Sequence, residues 1–214
     1  HFLTSCAGGL TLMTTLPVDY ITQRGLRTEV TVTGLNGGHS GGEIGKELGN
    51  ANIIMGRLLK YVSDRMELGI AALFGGNKDN AIPRESTAVL YIPAERRDAF
   101  AAALQELEAV LKKEFAGSDA GVCFRYSFGE EEEGRILSYG AMSKVIFYLR
   151  EVPNGRLHMS QTFPGLVETS LYLGILSLDG EALVSHSSIR SSVSTRKMDV
   201  ADRLIHLAEL LGGD

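Results

Sequence analysis

Apolar residues along this chain recur at two spacings. From residue 43 to 66, Ile44, Leu48, Ala51, Met55, Leu58, Val62 and Met66 follow one another at three- and four-residue steps. That spacing places them on one face of a helix. A second helix is predicted over 95–115, introduced by Pro93, with Phe100, Leu104, Leu107, Leu111 and Phe115 as its stripe. Alternating or continuously apolar runs over 10–16, 27–33, 68–74, 81–92 and 122–128 predict strands, with Pro17, Arg24-Gly25, Gly75-Gly76 and 77–80 as turn signals. The acidic run Glu130–Glu133 reads as a solvated loop. Ser138 is placed to cap a third helix carrying Met142, Val145, Ile146 and Leu149, which Pro153-Asn154-Gly155 ends. Strands over 156–161 and 166–178 follow, then the hairpin turn Asp179-Gly180 and a strand over 181–189. Asp199 is the expected cap of the last helix, where Leu204, Ile205, Ala208 and Leu211 face inward and Gly212 stops it.

The order strand, helix, strands, helix thus occurs twice, over about 25–116 and about 117–214. The expected fold is α+β: two consecutive strand-helix-strand-strand-helix halves of ferredoxin-like kind, with helices on one face of an antiparallel sheet. The other face, or an edge strand, is left for a partner.

Bulk properties narrow the function. The 214 residues are 44% hydrophobic and 22% charged, which suits an ordinary globular protein with a sizeable core. A formal charge of −5 leaves no basic footprint for nucleic acid or an anionic membrane. No apolar run is long enough to span a bilayer. Cys6 and Cys123 form no C-x-x-C pair, which points to two reduced thiols and a cytoplasmic setting. Leu3-Thr4-Ser5-Cys6 imitates a lipoprotein cleavage box, but no basic segment or apolar run precedes it. The chain opens at His1 directly on apolar sequence and reads like a piece of something longer.

One stretch invites chemistry. Gly34-Leu35-Asn36-Gly37-Gly38-His39-Ser40-Gly41-Gly42-Glu43-Ile44 joins a strand to a helical pattern, with one imidazole among glycines that carry no side-chain bulk. It is not a phosphate loop: Glu47 follows Gly45-Lys46 where a hydroxyl should hold magnesium, and Glu43 would repel the anion. His39 and Glu43 alone do not close a metal site. The five His residues show no H-x-x-x-H or H-E-x-x-H pairing, and no G-x-S-x-G elbow is present. What remains is His39, Asn80 and Arg190, donors suited to an oxyanion or a carboxylate but not nucleophiles. An exposed His in a glycine turn, a turn Asn and a surface Arg are the plain alternatives.

These residues sit in a recognisable pattern. Gly37-Gly38-His39-Ser40-Gly41-Gly42-Glu43-Ile44 with Leu48-Gly49-Asn50-Ala51-Asn52 resembles the aminoacyl-histidine dipeptidases, carnosinase-like members of the dinuclear zinc metallopeptidases. Asn80-Ala81-Ile82-Pro83-Arg84-Glu85 and Val167-Glu168-Thr169-Ser170-Leu171 match two further signatures, although Tyr172 stands where the family pattern has Asn. Cys6-Ala7-Gly8-Gly9 resembles the crossing from catalytic domain into lid. The resemblance implies a lid and dimerisation domain over 25–214, entered by a crossover over 1–24, that partners its own catalytic domain and a second subunit. It implies two zinc ions in that catalytic domain and none in this segment. It also implies that His39 stabilises the oxyanion, in its own subunit or across the dimer, that Asn80 contacts a dipeptide substrate of the Xaa-His kind, and that Arg190 holds its C-terminal carboxylate. Residue chemistry alone leaves a rival: a stand-alone homodimeric module that senses a small anion through the His39 loop.

Overall fold

A computed structural model describes residues 7–39, 41–178 and 180–214. The cleavage-box resemblance at residues 3–6, Ser40 and the Asp179 half of the hairpin turn lie outside the described residues. The strands are β1 (Gly8–Pro17), β2 (Tyr20–Thr33), β3 (Gly38–His39), β4 (Gly69–Gly75), β5 (Ala81–Ile82), β6 (Ser86–Ile92), β7 (Cys123–Leu137), β8 (Gly155–Met159), β9 (Val167–Leu178) and β10 (Ala182–Ser191). The helices are α1 (Ala51–Ser63), α2 (Arg97–Glu114), α3 (Tyr139–Glu151) and α4 (Ser194–Leu210).

The main sheet is antiparallel, in the order β1-β10-β9-β4-β6-β2-β7, and β8 shares the β9 edge that β4 uses. The helices cover one face, as expected. Leu183, Ser185 and Ile189 alternate along β10 toward them: Tyr148 of α3 hydrogen-bonds Ser185 Oγ at 2.6 Å, and Ile189 packs with Val200, Ala201 and Leu204 of α4. Most of the core lies between the sheet and α1, α2 and α3. Among the described residues no helix is long and apolar enough to cross a membrane.

Strand pairing adds what local patterns do not carry. The β2, β4, β6 and β7 strands form one side of the sheet; β9, β10 and β1 form the other. β7 therefore pairs with β2 from the preceding half, and β1 reaches over to close the side built by the C-terminal strands. The two sides meet at β4 and β9, through Leu73 opposite Leu178, Phe74 opposite Ser177 and Gly75 opposite Leu176.

Several elements depart from the sequence reading. The helix expected from residue 43 begins only at Ala51, because Asn50 has extended backbone and its Oδ1 accepts the N–H groups of Asn52 (3.0 Å) and Ile53 (3.4 Å) as an N-cap. Ile44 and Leu48, counted in the helical stripe, belong instead to a 3-10 turn and its exit and pack with Ile82 and Tyr172. The strand expected over 81–92 is broken by Pro83, which has no N–H for the ladder. The acidic run is not a loop: Glu131, Glu132 and Glu133 pair with Leu26, Gly25 and Arg24 inside β7. Its position at the sheet edge lets the carboxylates stay in water, with Arg24 Nε 2.8 Å from Glu131. The last helix starts at Ser194, well before Asp199, after Ser191 Oγ accepts the Val193 N–H. Ser138 does cap α3, accepting the Ala141 N–H at 3.2 Å, and Gly212 has the left-handed φ of +77° that suits a helix end.

Beneath the sheet, α1 crosses α3 closely at Gly56, where an added Cβ would lie 2.6 Å from Leu149 Cβ and 3.1 Å from its carbonyl oxygen. Gly to Ala inside an exposed helix gains up to about 1 kcal/mol. Here the sign should reverse: Gly56→Ala is expected to lose about 1–3 kcal/mol by overpacking, read as a lower urea midpoint at unchanged slope. A raised midpoint would show that the two helices do not press together at this point.

Candidate functional site

The strand β2 ends at Thr33 and the chain enters the glycine loop. Gly38 and His39 form β3, which pairs with β5 so that His39 stands opposite Ala81 and Gly38 opposite Ile82. This small ladder, set apart from the main sheet, leaves Asn80 next in the chain to Ala81, the partner of His39. His39 and Asn80 line one open cavity of about 1060 Å³, with Lys78, Arg84, Glu43 and Glu85 as its charged walls.

The imidazole is held from within its own loop. Its Nδ1 accepts the backbone N–H of Gly41 at 3.1 Å and of Gly42 at 3.2 Å. A nitrogen that accepts two hydrogen bonds carries no proton, so the ring proton sits on Nε2 and that edge is a donor. The backbone is clamped too: His39 N–H donates to Glu43 Oε2 (3.0 Å), and Glu43 N–H donates to the His39 carbonyl (3.0 Å). Lys46 Nζ holds Glu43 Oε1 at 2.8 Å. The Lys46 ammonium, and after it the His39 N–H, lower the Glu43 carboxyl below its ordinary pKa. Glu43 is thereby committed to the loop, and among the described residues no group of three or more His, Cys, Asp or Glu is placed to hold a metal ion.

Arg190 stands apart. It lies on β10 opposite Gly9 of β1 and Ser170 of β9, and it does not line the cavity that His39 and Asn80 share. Its guanidinium lies over Gly9, where any Cβ would come within 2.7 Å of Nη1. Nε is buried without a hydrogen-bond partner, and the side chain makes no ion pair among the described residues. The next β1–β10 pair of the same pleat joins Thr11 to Ser188, and the Thr11 hydroxyl donates to Asp79 at 3.5 Å. Asp79 also presses on Gly174 of β9, so the loop bearing Asn80 folds over the helix-free face that carries Arg190.

The structure therefore brings His39 and Asn80 into one cavity and puts Arg190 on the adjoining sheet face. Neither His206, exposed on α4 beside Asp202, nor His158, exposed on β8, joins them. Three contributors are not apparent from the sequence. Lys78 and Arg84 make part of the cavity wall cationic, a feature signalled only by their nearness to Asn80 in the chain. Asp119, distant in sequence, accepts the N–H groups of Asn36 and Gly49 at the base of the loop, each at 2.6 Å.

Known proteins share this fold. Residues 21–119 match the family described as the peptidase dimerisation domain. The cytosol non-specific dipeptidase of Escherichia coli (strain K12) is 31% identical over 209 residues, 97% of this chain and 43% of that protein. The crystal structure of aminoacylhistidine dipeptidase from Vibrio alginolyticus superposes with a TM-score of 0.93 at 30% identity, over 98% of this chain and 43% of that one. The chain thus spans less than half the length of the relatives it matches. Residues 21–119 form a peptidase dimerisation domain, and the chain as a whole belongs with the dimerisation segment of the dipeptidases that these two relatives represent.

Proposed function

We propose that this chain is the lid and dimerisation segment of a zinc-dependent dipeptidase that hydrolyses Xaa-His dipeptides in the cytoplasm, working as a homodimer with a catalytic domain outside these residues. The observation that carries the reading is the pinned imidazole. When a peptide bond is hydrolysed, the scissile carbonyl oxygen gains negative charge as its carbon becomes tetrahedral. A preorganised donor aimed at that oxygen stabilises the transition state more than the ground state. With Nδ1 occupied by two glycine amides, His39 offers Nε2–H for that purpose. Asn80, in the same cavity, contacts the dipeptide. Arg190, with no carboxylate of its own, receives the substrate's terminal carboxylate in a two-pronged hydrogen bond.

The described residues hold no metal-binding cluster, so the two zinc ions belong, in this reading, to the catalytic domain. The names of the two relatives support peptide hydrolysis, and that of the Escherichia coli enzyme a cytosolic setting. The E. coli name also points to a broader substrate range than the Vibrio one, so the preference for Xaa-His is the narrower part of the proposal. The lid closes over substrate and excludes water while completing the donor set.

In the full-length enzyme, His39→Ala is expected to lower kcat by about two to three orders of magnitude at unchanged zinc content. Turnover near wild type would remove His39 from the reaction. Arg190→Ala should raise KM for dipeptides with a free C-terminal carboxylate and spare the amidated ones, and equal losses on both would reject the carboxylate role. Glu43 supplies a pH test. Its folded pKa is depressed, so its hold on the loop is complete above the ordinary carboxylate range and is lost as pH falls through the lowered value. The His39 amide resonance should accordingly titrate with a midpoint below the ordinary 4.5, and this acid step should vanish in Glu43→Gln. A midpoint at or above that value would contradict the clamp.

A further inference from the structure

Asp119 is fully buried, yet it makes no ion pair among the described residues. Its Oδ1 accepts the Asn36 N–H at 2.6 Å and its Oδ2 accepts the Gly49 N–H at 2.6 Å. Those two amides stand on either side of the His39 loop, where the chain leaves β2 and where it approaches the cap of α1. One carboxylate therefore closes the loop at its base. A buried charge is costly unless its hydrogen bonds are kept, and bonds to a carboxylate are about twice as strong as neutral ones. Opening the loop would leave that charge unsatisfied, so the closed form is held by the penalty as well as by the bonds.

Asp119 is itself fixed. Its N–H donates to the Phe115 carbonyl at 2.8 Å, and its carbonyl accepts the Val122 N–H at 3.0 Å, which locks it into the turn between α2 and β7. The neighbouring Ser118 carbonyl accepts Asn36 Nδ2 at 2.7 Å, doubling the attachment on the entry side. On the exit side, Leu35 and Ile54 crowd Gly49. The loop thus has a rigid base and an exposed tip. His39 is at the tip.

We propose that Asp119 is the positioning residue for His39: by bracketing the loop through Asn36 and Gly49, it fixes where the Nε2–H donor stands when substrate is bound. This rests on the reading of His39 as the oxyanion donor. A donor displaced by an ångström loses much of its effect, so the consequence falls on turnover and not on substrate affinity.

The test is a double-mutant cycle in the full-length enzyme, with kcat, KM, bound metal and urea stability measured for each variant. Asp119→Asn keeps the shape but sets an amide donor against one of the two N–H groups. It is expected to lower kcat on the order of tenfold or more at unchanged KM and metal content. Combined with His39→Ala it should add little further loss, because the positioned group is already gone. Asn36→Ala, which removes only the Ser118 tie, should show the same pattern more weakly and serves if Asp119→Asn does not fold. The urea midpoint measured for each variant separates positioning from general loss of stability. If His39→Ala is slow while Asp119→Asn and Asn36→Ala keep full kcat, or if the losses multiply in the double variants, the positioning role is overturned and the His39 reading stands. If His39→Ala itself retains wild-type kcat, the His39 reading fails and Asp119 has no donor to position.

Discussion

The two sides of the sheet share one structure because β4 and β9 meet along a short seam. Three residue pairs join them, far fewer than hold β2 to β7 or β1 to β10. So brief a ladder needs support from below. Gly56 of α1 lies against Leu149 of α3 under the sheet, linking helices from the two sides. At the end of the seam, Asn50 serves both sides at once: its oxygen caps α1 while its amide donates to the Leu173 carbonyl of β9 at 3.0 Å and to Asn154 at 2.9 Å. Asn52, buried beside it, donates toward Gly75 and Leu173, one from each side. Buried amides of this kind are specific where an apolar contact would be tolerant, since a shifted register would orphan several polar atoms together.

The candidate site depends on that seam. The loop bearing His39 leaves β2 on one side, and its 3-10 turn rests through Ile44 and Leu48 on Tyr172 of β9, which belongs to the other. Asn80 arrives from the loop after β4, at the seam itself, while Arg190 belongs to the far side. The donors are thus carried by separate parts of the sheet, and their mutual placement is a property of the joined structure.

Much of this was legible in the sequence, for identifiable reasons. The helix faces of α2 and α3, the Ser138 cap and Gly212 report local physics, and they read correctly, whereas Ile205, expected to face inward on α4, is exposed. The glycine-flanked His39 and the 80–85 segment carry a pattern specific enough to name a family. The failures are as instructive. Ile44 and Leu48 fit a helical stripe by spacing alone, and only the competing Asn50 cap moves them to another cluster. Glu130–Glu133 reads as a loop because composition cannot distinguish a solvated loop from a solvated edge strand. Asp119 was invisible because its partners are backbone amides some 70 and 83 positions away, and main-chain donors leave no mark on residue identity. The closure of one side by β1 was hidden likewise, since long-range pairing has no local signal.

That last feature bears on how the chain is made. β1 emerges in synthesis well before its partner β10, with Gly8 opposite Ser191. At ordinary elongation rates of about 5–20 residues per second, the strand waits on the order of ten seconds or more before its ladder can form. During that interval β2 through β7 can already assemble, so a half-built chain presents a finished acidic edge on β7 and an unfinished one along β4. Within that half-built sheet, the edge left without its neighbour is the seam, where Phe74 remains partly exposed even after assembly. The half-built sheet is therefore most vulnerable to wrong association at the strand that later holds the two sides together, and chaperone protection would matter there.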